Sequence, residues 1–341
     1  MAHINVAING FGRIGRAFFR LAKTRDDITV VAINDLGSVE NLAYLLQYDT
    51  AYGKAPFTVS VSGGHLLVDG QEIAVFSEKD PANLPWGKLG IDVVVESTGF
   101  FTKFADAEVH VTKAGARKVV ISAPAKDDPR DDTQGTILMG INDERLDTCV
   151  VSSNASCTTN ASSPLMSILD EAIGIEKALL NTVHAYTATQ MLVDGPSKKD
   201  LRGGRAAAQN IIPSSTGAAI AVTKALPQLE NKFDGISLRV PVIVGSIADI
   251  TFIAKRETSQ EEVNEILRNA SHDPRWKGIF TVTEEDIVSS DIAGNTHAAI
   301  ADLAFTRVVG GNLVKVLSWY DNEMGYTNAL VEHVIKTGSQ K

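Results

Sequence analysis

Three glycines constrain this chain more than any other feature. Gly10, Gly12 and Gly15 spell G-F-G-R-I-G directly after the β-branched run INVAIN (residues 4–9), where the helical pattern GRAFFRLAKTR (15–25) begins. In that setting Gly10 allows a tight turn, Gly12 lets backbone approach a pyrophosphate, and Gly15 lets the helix pack on the strand. The positive end of the helix then faces the phosphates. The next run, ITVVAIN (28–34), is followed by Asp35, 20 residues after Gly15, where a carboxylate accepts hydrogen bonds from ribose hydroxyls. Strand, glycines, helix, strand and acid in register predict a dinucleotide-binding unit with Gly10, Gly12, Gly15 and Asp35 as cofactor contacts.

The rest of the first half fits that unit. DVVVES (92–97) and KVVIS (118–122) read as further strands, separated by a helical segment near Ala105 to Ala114. Strands alternating with helices predict an α/β fold of the Rossmann type, a doubly wound parallel sheet. The segment 56–78 alternates at period two around Gly63–Gly64 and Asp69–Gly70, which predicts inserted antiparallel hairpins. In the second half, 177–187, 235–255 and 313–321 read as long strands. The stretches 164–174, 259–271 and about 325–337 read as helices. This predicts a second, α+β domain on a mostly antiparallel sheet. The expected division is 1–156 for dinucleotide binding and 157–321 for the second domain, with a C-terminal helix at about 322–341 packing back onto the first domain. The segment from Thr189 to Pro213 holds Gly, Lys and Arg without periodicity, as functional or interface loops do.

Bulk properties exclude several roles. A length of 341 residues, 44% of them hydrophobic, suits two sizeable cores. A net charge of −9 gives no bulk attraction to nucleic acid or an anionic membrane, so neither is expected as a main partner. No run approaches 18 apolar residues, and the opening MAHINVAINGFGRIG is not expected to act as a secretion signal. Two cysteines cannot build a disulfide framework, so a cytoplasmic location is expected.

Those two cysteines differ in setting. Cys157 lies in S-N-A-S-C-T-T-N, a polar shell at a strand-to-helix turn, where helix amides lower a thiol's pKa. Pro164 predicts a kink or a later helix start. Cys149 lies in the apolar TCVVS and reads as a buried strand residue. A thiolate nucleophile needs a base, and His184 in NTVHAYTATQ is the candidate. His3, His65, His110, His272, His297 and His333 show no pairing pattern. No ligand spacing suggests a metal site.

INGFGRIGR, SNASCTTN, HAYTATQ, DGPSKKDLRGGRAAAQNIIPSSTGAA, RVP and SWYDNEMGY resemble, in order and spacing, the signatures of phosphorylating glyceraldehyde-3-phosphate dehydrogenases, across nearly the whole chain. The resemblance implies that Cys157 attacks the aldehyde and His184 takes the thiol proton. Hydride then passes to NAD, and inorganic phosphate cleaves the resulting thioester. It implies that Thr187, Arg202 and Arg239 serve the substrate phosphate of glyceraldehyde 3-phosphate or lie between two anion sites. Ser156, Thr158, Thr216 and Gly217 would serve the attacking phosphate. Further cofactor contacts implied are Arg13, Ile14, Lys79, Ser122 and Asn322, with Tyr326 near the nicotinamide. A homotetramer with the 189–213 segment near a subunit interface is also implied. Three positions depart from the family pattern: Lys79 stands where Arg is usual, Ala161 where a second Cys is frequent, and Met324 where Trp, Thr or Phe is frequent. An erythrose-4-phosphate dehydrogenase shares the nucleophile motif, and a non-catalytic binding protein on the same fold is the alternative from another class.

Overall fold

The computed structural model describes residues 3–197 and 200–340. The chain divides into two compact units, Met1–Ala155 with Leu330–Lys341, and Ser156–Ala329.

The first unit is built on nine strands. They are β1 (Ile4–Asn9), β2 (Ile28–Asn34), β3 (Val59–Ser62), β4 (His65–Val68), β5 (Gln71–Phe76), β6 (Val93–Glu96), β7 (Lys118–Ile121), β8 (Gln134–Thr136) and β9 (Val151–Ser153). Their order is β8-β9-β7-β6-β1-β2-β5-β4-β3. All pairings from β8 to β5 are parallel, and the two involving β4 are antiparallel. Strands buried on both faces need near-continuous apolar runs, and β6 and β7 are buried at every position. The chain leaves β1 toward β2 on one side and later places β6 on the other. The crevice between β1 and β6 is therefore the switch point where such sheets bind ligands. Helices α1 (Arg13–Ala22) and α2 (Val39–Gln47) follow β1 and β2. The expected single helix at 105–114 is instead two turns, α3 (Phe104–Ala107) and α4 (Val109–Thr112). Cys149 is fully buried as expected, but it precedes β9 in a loop rather than lying in the strand.

The second unit carries β10 (Ile175–Ala185), β11 (Ile212–Ser215), β12 (Phe233–Val240), β13 (Ser246–Ala254), β14 (Phe280–Thr283), β15 (Ala299–Val309) and β16 (Leu313–Tyr320). Their order is β11-β12-β10-β13-β16-β15-β14, antiparallel except for β10/β12 and β14/β15. β13 alternates strictly between buried and half-buried positions, the mark of a sheet with one face packed. The helices are α5 (Cys157–Ile173), α6 (Ala218–Ala225), α7 (Gln260–Ala270) and α8 (Met324–Ser339).

Of the two outcomes expected from Pro164, a later helix start does not occur in α5. The helix starts at Cys157 and runs unbroken through the proline. Pro164 has no N–H to donate within the helix, and Ser318 Oγ donates to the Ala161 carbonyl in the preceding turn at 3.0 Å. Most of α5 is buried, so tertiary packing outweighs the local cost. The 189–213 segment contains two 3-10 turns, Leu201–Gly204 and Ala207–Gln209, before β11. Lys198 and Lys199 within it lie outside the described residues.

Candidate active site

Ser156 caps α5. Its Oγ accepts from Thr159 N–H at 3.1 Å, and the helix begins with Cys157 itself. Just before the cap, buried Ala155 has φ 55°, a left-handed conformation that costs an L-residue about 1 kcal/mol or more. That strained turn aims the half-buried Cys157 side chain at the end of β10. There Sγ lies 3.3 Å from His184 Nε2. β10 pairs with β12 so that His184 sits opposite Arg239. Arg239 Nη1 is 2.6 Å from His184 Nδ1, and the Ala185 carbonyl is 2.6 Å from the same nitrogen. A guanidinium only donates and a carbonyl only accepts, so these neighbours favour opposite imidazole tautomers. With Nδ1–H donating to Ala185 O, the Nε2 lone pair faces the thiol.

The electrostatics follow from burial and Arg239. Burial, then the Arg239 charge, lowers the His184 pKa to about 3, so the ring is neutral near pH 7. At Cys157, burial outweighs the backbone N–H groups at the helix start, which lower the thiol's pKa. Burial pushes Cys157 up, while Arg239 and hydrogen bonding at Thr158 pull it down.

One residue of this cluster has no advance signal beyond its place in the SWYD run. Tyr320, buried at the end of β16, places its hydroxyl 2.9 Å from Thr158 Oγ1 and 2.7 Å from Thr182 Oγ1. Its ring meets that of His184 edge-on, with centroids 5.9 Å apart. Burial pushes the phenol well above its ordinary value, so it stays protonated. Thr158 Oγ1 thus bonds the Tyr320 hydroxyl, and the Thr158 backbone N–H stands in the first turn of α5.

The other expected anion ligands are more dispersed. Thr187 lies two residues beyond β10 and bonds Thr189 and Gln190. Arg202 is exposed on a 3-10 turn. Thr216 and Gly217 lead into α6, where a Cβ added at Gly217 meets nothing within 4 Å and Thr216 Oγ1 accepts from the first helical N–H, that of Ala218, at 3.2 Å. No hydrogen bond among the described residues ties Arg202, Thr216 or Gly217 to Cys157.

In the first unit, a cavity of about 420 Å³ opens over the Gly-rich turn and is lined by Gly10, Gly12, Asp35 and Lys79 among others. A Cβ on Gly10 would strike Thr98 N at 2.6 Å, and one on Gly15 would strike the Gly10 carbonyl at 2.2 Å. Around Gly12, in contrast, nothing lies within 4 Å, and no side chain among the described residues caps α1. The turn is thus closed inward and open outward, as a phosphate cradle requires. Asp35 accepts from Phe11 N–H at 2.7 Å and Gly37 N–H at 2.8 Å, which fixes its carboxylate at the cavity. Arg13 directs its guanidinium to Asp49 at 2.6 Å, which leaves the backbone of Arg13 and Ile14 at the helix start. Ser122 follows β7, beside β6, and donates its N–H to Glu96 O. Leu36 and Phe100, absent from the expected contacts, also line the cavity as exposed apolar side chains. In the second unit Asn322 Oδ1 accepts from Gly245 N–H and Ser246 Oγ, and no hydrogen bond involves its Nδ2 among the described residues. Tyr326 is buried in the first turn of α8.

Comparison with known proteins decides the family. Residues 4–104 match the NAD binding domain of glyceraldehyde 3-phosphate dehydrogenase, and residues 156–322 match its C-terminal domain. The chain belongs to the glyceraldehyde 3-phosphate dehydrogenase family. It is 51% identical over 340 residues to a glyceraldehyde-3-phosphate dehydrogenase of Streptomyces coelicolor, covering 99% of each chain. It is 49% identical to that of Borreliella burgdorferi, over 96% of this chain and 98% of the other, and 48% identical to glyceraldehyde-3-phosphate dehydrogenase 1 of Bacillus subtilis, over 96% of both. In this family the amino-terminal unit is the NAD-binding one, and the cavity over Gly12 fits that cofactor.

Proposed function

We propose that this chain oxidises glyceraldehyde 3-phosphate with NAD and inorganic phosphate, forming 1,3-bisphosphoglycerate through a thioester on Cys157. The observation that carries the chemistry is the 3.3 Å approach of Cys157 Sγ to His184 Nε2 at the start of a helix. His184 accepts the thiol proton as sulfur adds to the aldehyde carbon. The first-turn N–H of Cys157, which has no acceptor inside α5, and protonated His184 stabilise the oxyanion of the thiohemiacetal. His184 returns its proton to that oxyanion, giving the thiohemiacetal hydroxyl, and takes it up again as the hydride leaves the carbon and the thioester forms. NAD supplies the hydride acceptor when bound. Gly10, Gly12, Gly15 and the backbone of Arg13 and Ile14 hold its pyrophosphate, and Asp35 its ribose. Lys79, Ser122, Tyr326 and the Asn322 carboxamide complete the cofactor contacts.

Two anion sites serve the phosphates. Arg239, whose buried Nε lacks a partner among the described residues, offers charge beside the base, with Thr187 and Arg202 toward the substrate phosphate. Ser156, Thr158, Thr216 and Gly217 receive the attacking phosphate, chiefly through backbone N–H groups at the starts of α5 and α6.

We infer a homotetramer acting in the cytoplasm. A shallow apolar depression of about 870 Å³, lined by Leu179, Ile220 and Leu313, lies on the second unit, and Leu192, Val193 and Leu201 project from the 189–213 segment. Apolar surface on that scale is covered by another copy. No helix among the described residues is long and apolar enough to cross a membrane.

Intact-mass analysis after mixing with glyceraldehyde 3-phosphate and NAD, without phosphate, tests the covalent step. An acyl adduct on the Cys157 peptide supports the proposal; one-to-one NADH formation with no adduct overturns it.

A further inference from the structure

The catalytic steps leave a buried carboxylate unused. Glu96, at the end of β6, is 2% exposed. A carboxylate removed from water must be fully hydrogen-bonded to be tolerated. Oε1 accepts from the Thr98 N–H at 2.9 Å and its hydroxyl at 2.5 Å. Oε2 accepts from Asn9 Nδ2 at 2.5 Å and His110 Nε2 at 3.1 Å. His110 is itself buried, and Trp86 Nε1 donates to its Nδ1 at 3.1 Å. An indole N–H is only a donor, so the imidazole proton sits on Nε2, directed at Glu96. The Asn9 and His110 nitrogens, 3.4 Å apart, are two donors converging on one oxygen.

From this carboxylate two arms reach the wall of the cofactor cavity. On one side Asn34 Nδ2 donates to Asn9 Oδ1 at 2.7 Å. Asn34 also clamps the Glu78 backbone, donating to its carbonyl at 2.9 Å and accepting from its N–H at 2.8 Å. On the other side Thr98 Oγ1 accepts from Phe100 N–H at 3.1 Å, and the Phe100 ring is 83% exposed at the cavity. Asn9, Asn34, Glu78, Thr98 and Phe100 all line that cavity, whereas Glu96 and His110 do not.

We propose that Glu96 is a positioning residue for the adenosine half of the dinucleotide: one buried carboxylate, oriented by the Trp86–His110 pair, sets both the Asn34–Glu78 wall and the Thr98–Phe100 wall. The assignment rests on the reading of this cavity as the NAD site. Only an acceptor on both oxygens satisfies four donors, so a glutamine side chain turns its NH2 toward one arm and releases it.

The test is titration calorimetry on the full-length chain carrying Glu96→Gln, with NAD and with ADP-ribose, which lacks the nicotinamide. Kd for both should rise by about tenfold, the scale of one lost charge-assisted hydrogen bond. The two should weaken equally, kcat at saturating NAD should stay within about twofold, and the alkylation rate of Cys157 should be unchanged. Unchanged Kd values in a folded Glu96→Gln protein overturn the proposal, as does weakening of NAD without weakening of ADP-ribose. If that variant does not fold, Thr98→Val cuts one arm and should raise both Kd values by about threefold; no change overturns the proposal. Failure of the unmodified chain to bind NAD overturns the cofactor reading itself, and this assignment with it.

Discussion

Cys157 Sγ and His184 Nε2 lie 3.3 Å apart although 27 residues separate them in the chain. A helix start and a strand end bring them together, so the pair is fixed by two rigid elements rather than by a loop.

Removing the base tests its role directly. His184→Asn keeps the ring's approximate size and deletes the proton acceptor. kcat should fall by roughly 10²–10⁴, the usual scale for general acid–base catalysis. Alkylation of Cys157 near neutral pH should slow as well. Alkylation kinetics identical to those of the unmodified protein would show that His184 does not assist the thiol.

Arg239 has an electrostatic signature distinct from phosphate binding. Its charge lowers the pKa of both Cys157 and His184, although burial is the larger influence on each. Arg239→Leu should move the pH profile of Cys157 alkylation upward by roughly one unit or more, since the thiolate loses its nearby cation. Arg239→Lys should recover part of the shift. A profile that stays in place with leucine present would remove Arg239 from the electrostatics of the pair.

Cofactor choice follows from Asp35 and Lys79 on the same cavity. The carboxylate, held by Phe11 and Gly37 N–H groups, repels a 2′-phosphate, so kcat/KM should strongly favour NAD over NADP. Asp35→Gly should narrow the gap in two ways. NAD loses its ribose acceptor, and exposed Lys79 becomes available to a 2′-phosphate. Adding Lys79→Ala should cancel the gain with NADP. Comparable use of both cofactors by the unmodified chain would refute this account.

Acid should destabilise the first unit through His333. Fully buried in α8, it bonds Ser152 Oγ at 2.8 Å and Asn154 Oδ1 at 3.1 Å, and burial lowers its pKa to about 3. Unfolded, it titrates near about 6.5, so below that pH the unfolded chain binds the extra proton. The contribution is present in full above pH about 6.5 and is lost progressively as pH falls toward about 3. His184 adds to the same window. The urea midpoint should therefore drop between pH 7 and pH 5, and His333→Gln should flatten that slope. An equally steep slope in the variant would exclude His333 as a source.

Much of this was legible in the sequence because it is local. INVAIN, GFGRIG and ITVVAIN specify β1, the turn and β2 from adjacent residues, and Gly63–Gly64 and Asp69–Gly70 mark the hairpins. Cys157 and His184 stood out by flanking chemistry. What escaped depends on long-range placement. Tyr320 reaches Thr158 across 162 residues, and Glu96 meets Asn9 across 87, because sheet order, not sequence spacing, makes them neighbours. His110 showed no pairing pattern for the same reason. The later helix start expected from Pro164 does not occur, because a buried helix can absorb a local penalty. The bond between the Thr158 and Tyr320 hydroxyls has no local signal either, since the two residues lie on different elements.

The central claim is that a Cys157 thioester is cleaved by inorganic phosphate. Steady-state NADH formation from glyceraldehyde 3-phosphate, measured with and without phosphate, tests it most directly. Sustained turnover is expected only when phosphate or arsenate is present, with a single burst of about one NADH per site without them. Equal sustained turnover in phosphate-free buffer would mean that water cleaves the thioester, and would contradict the account.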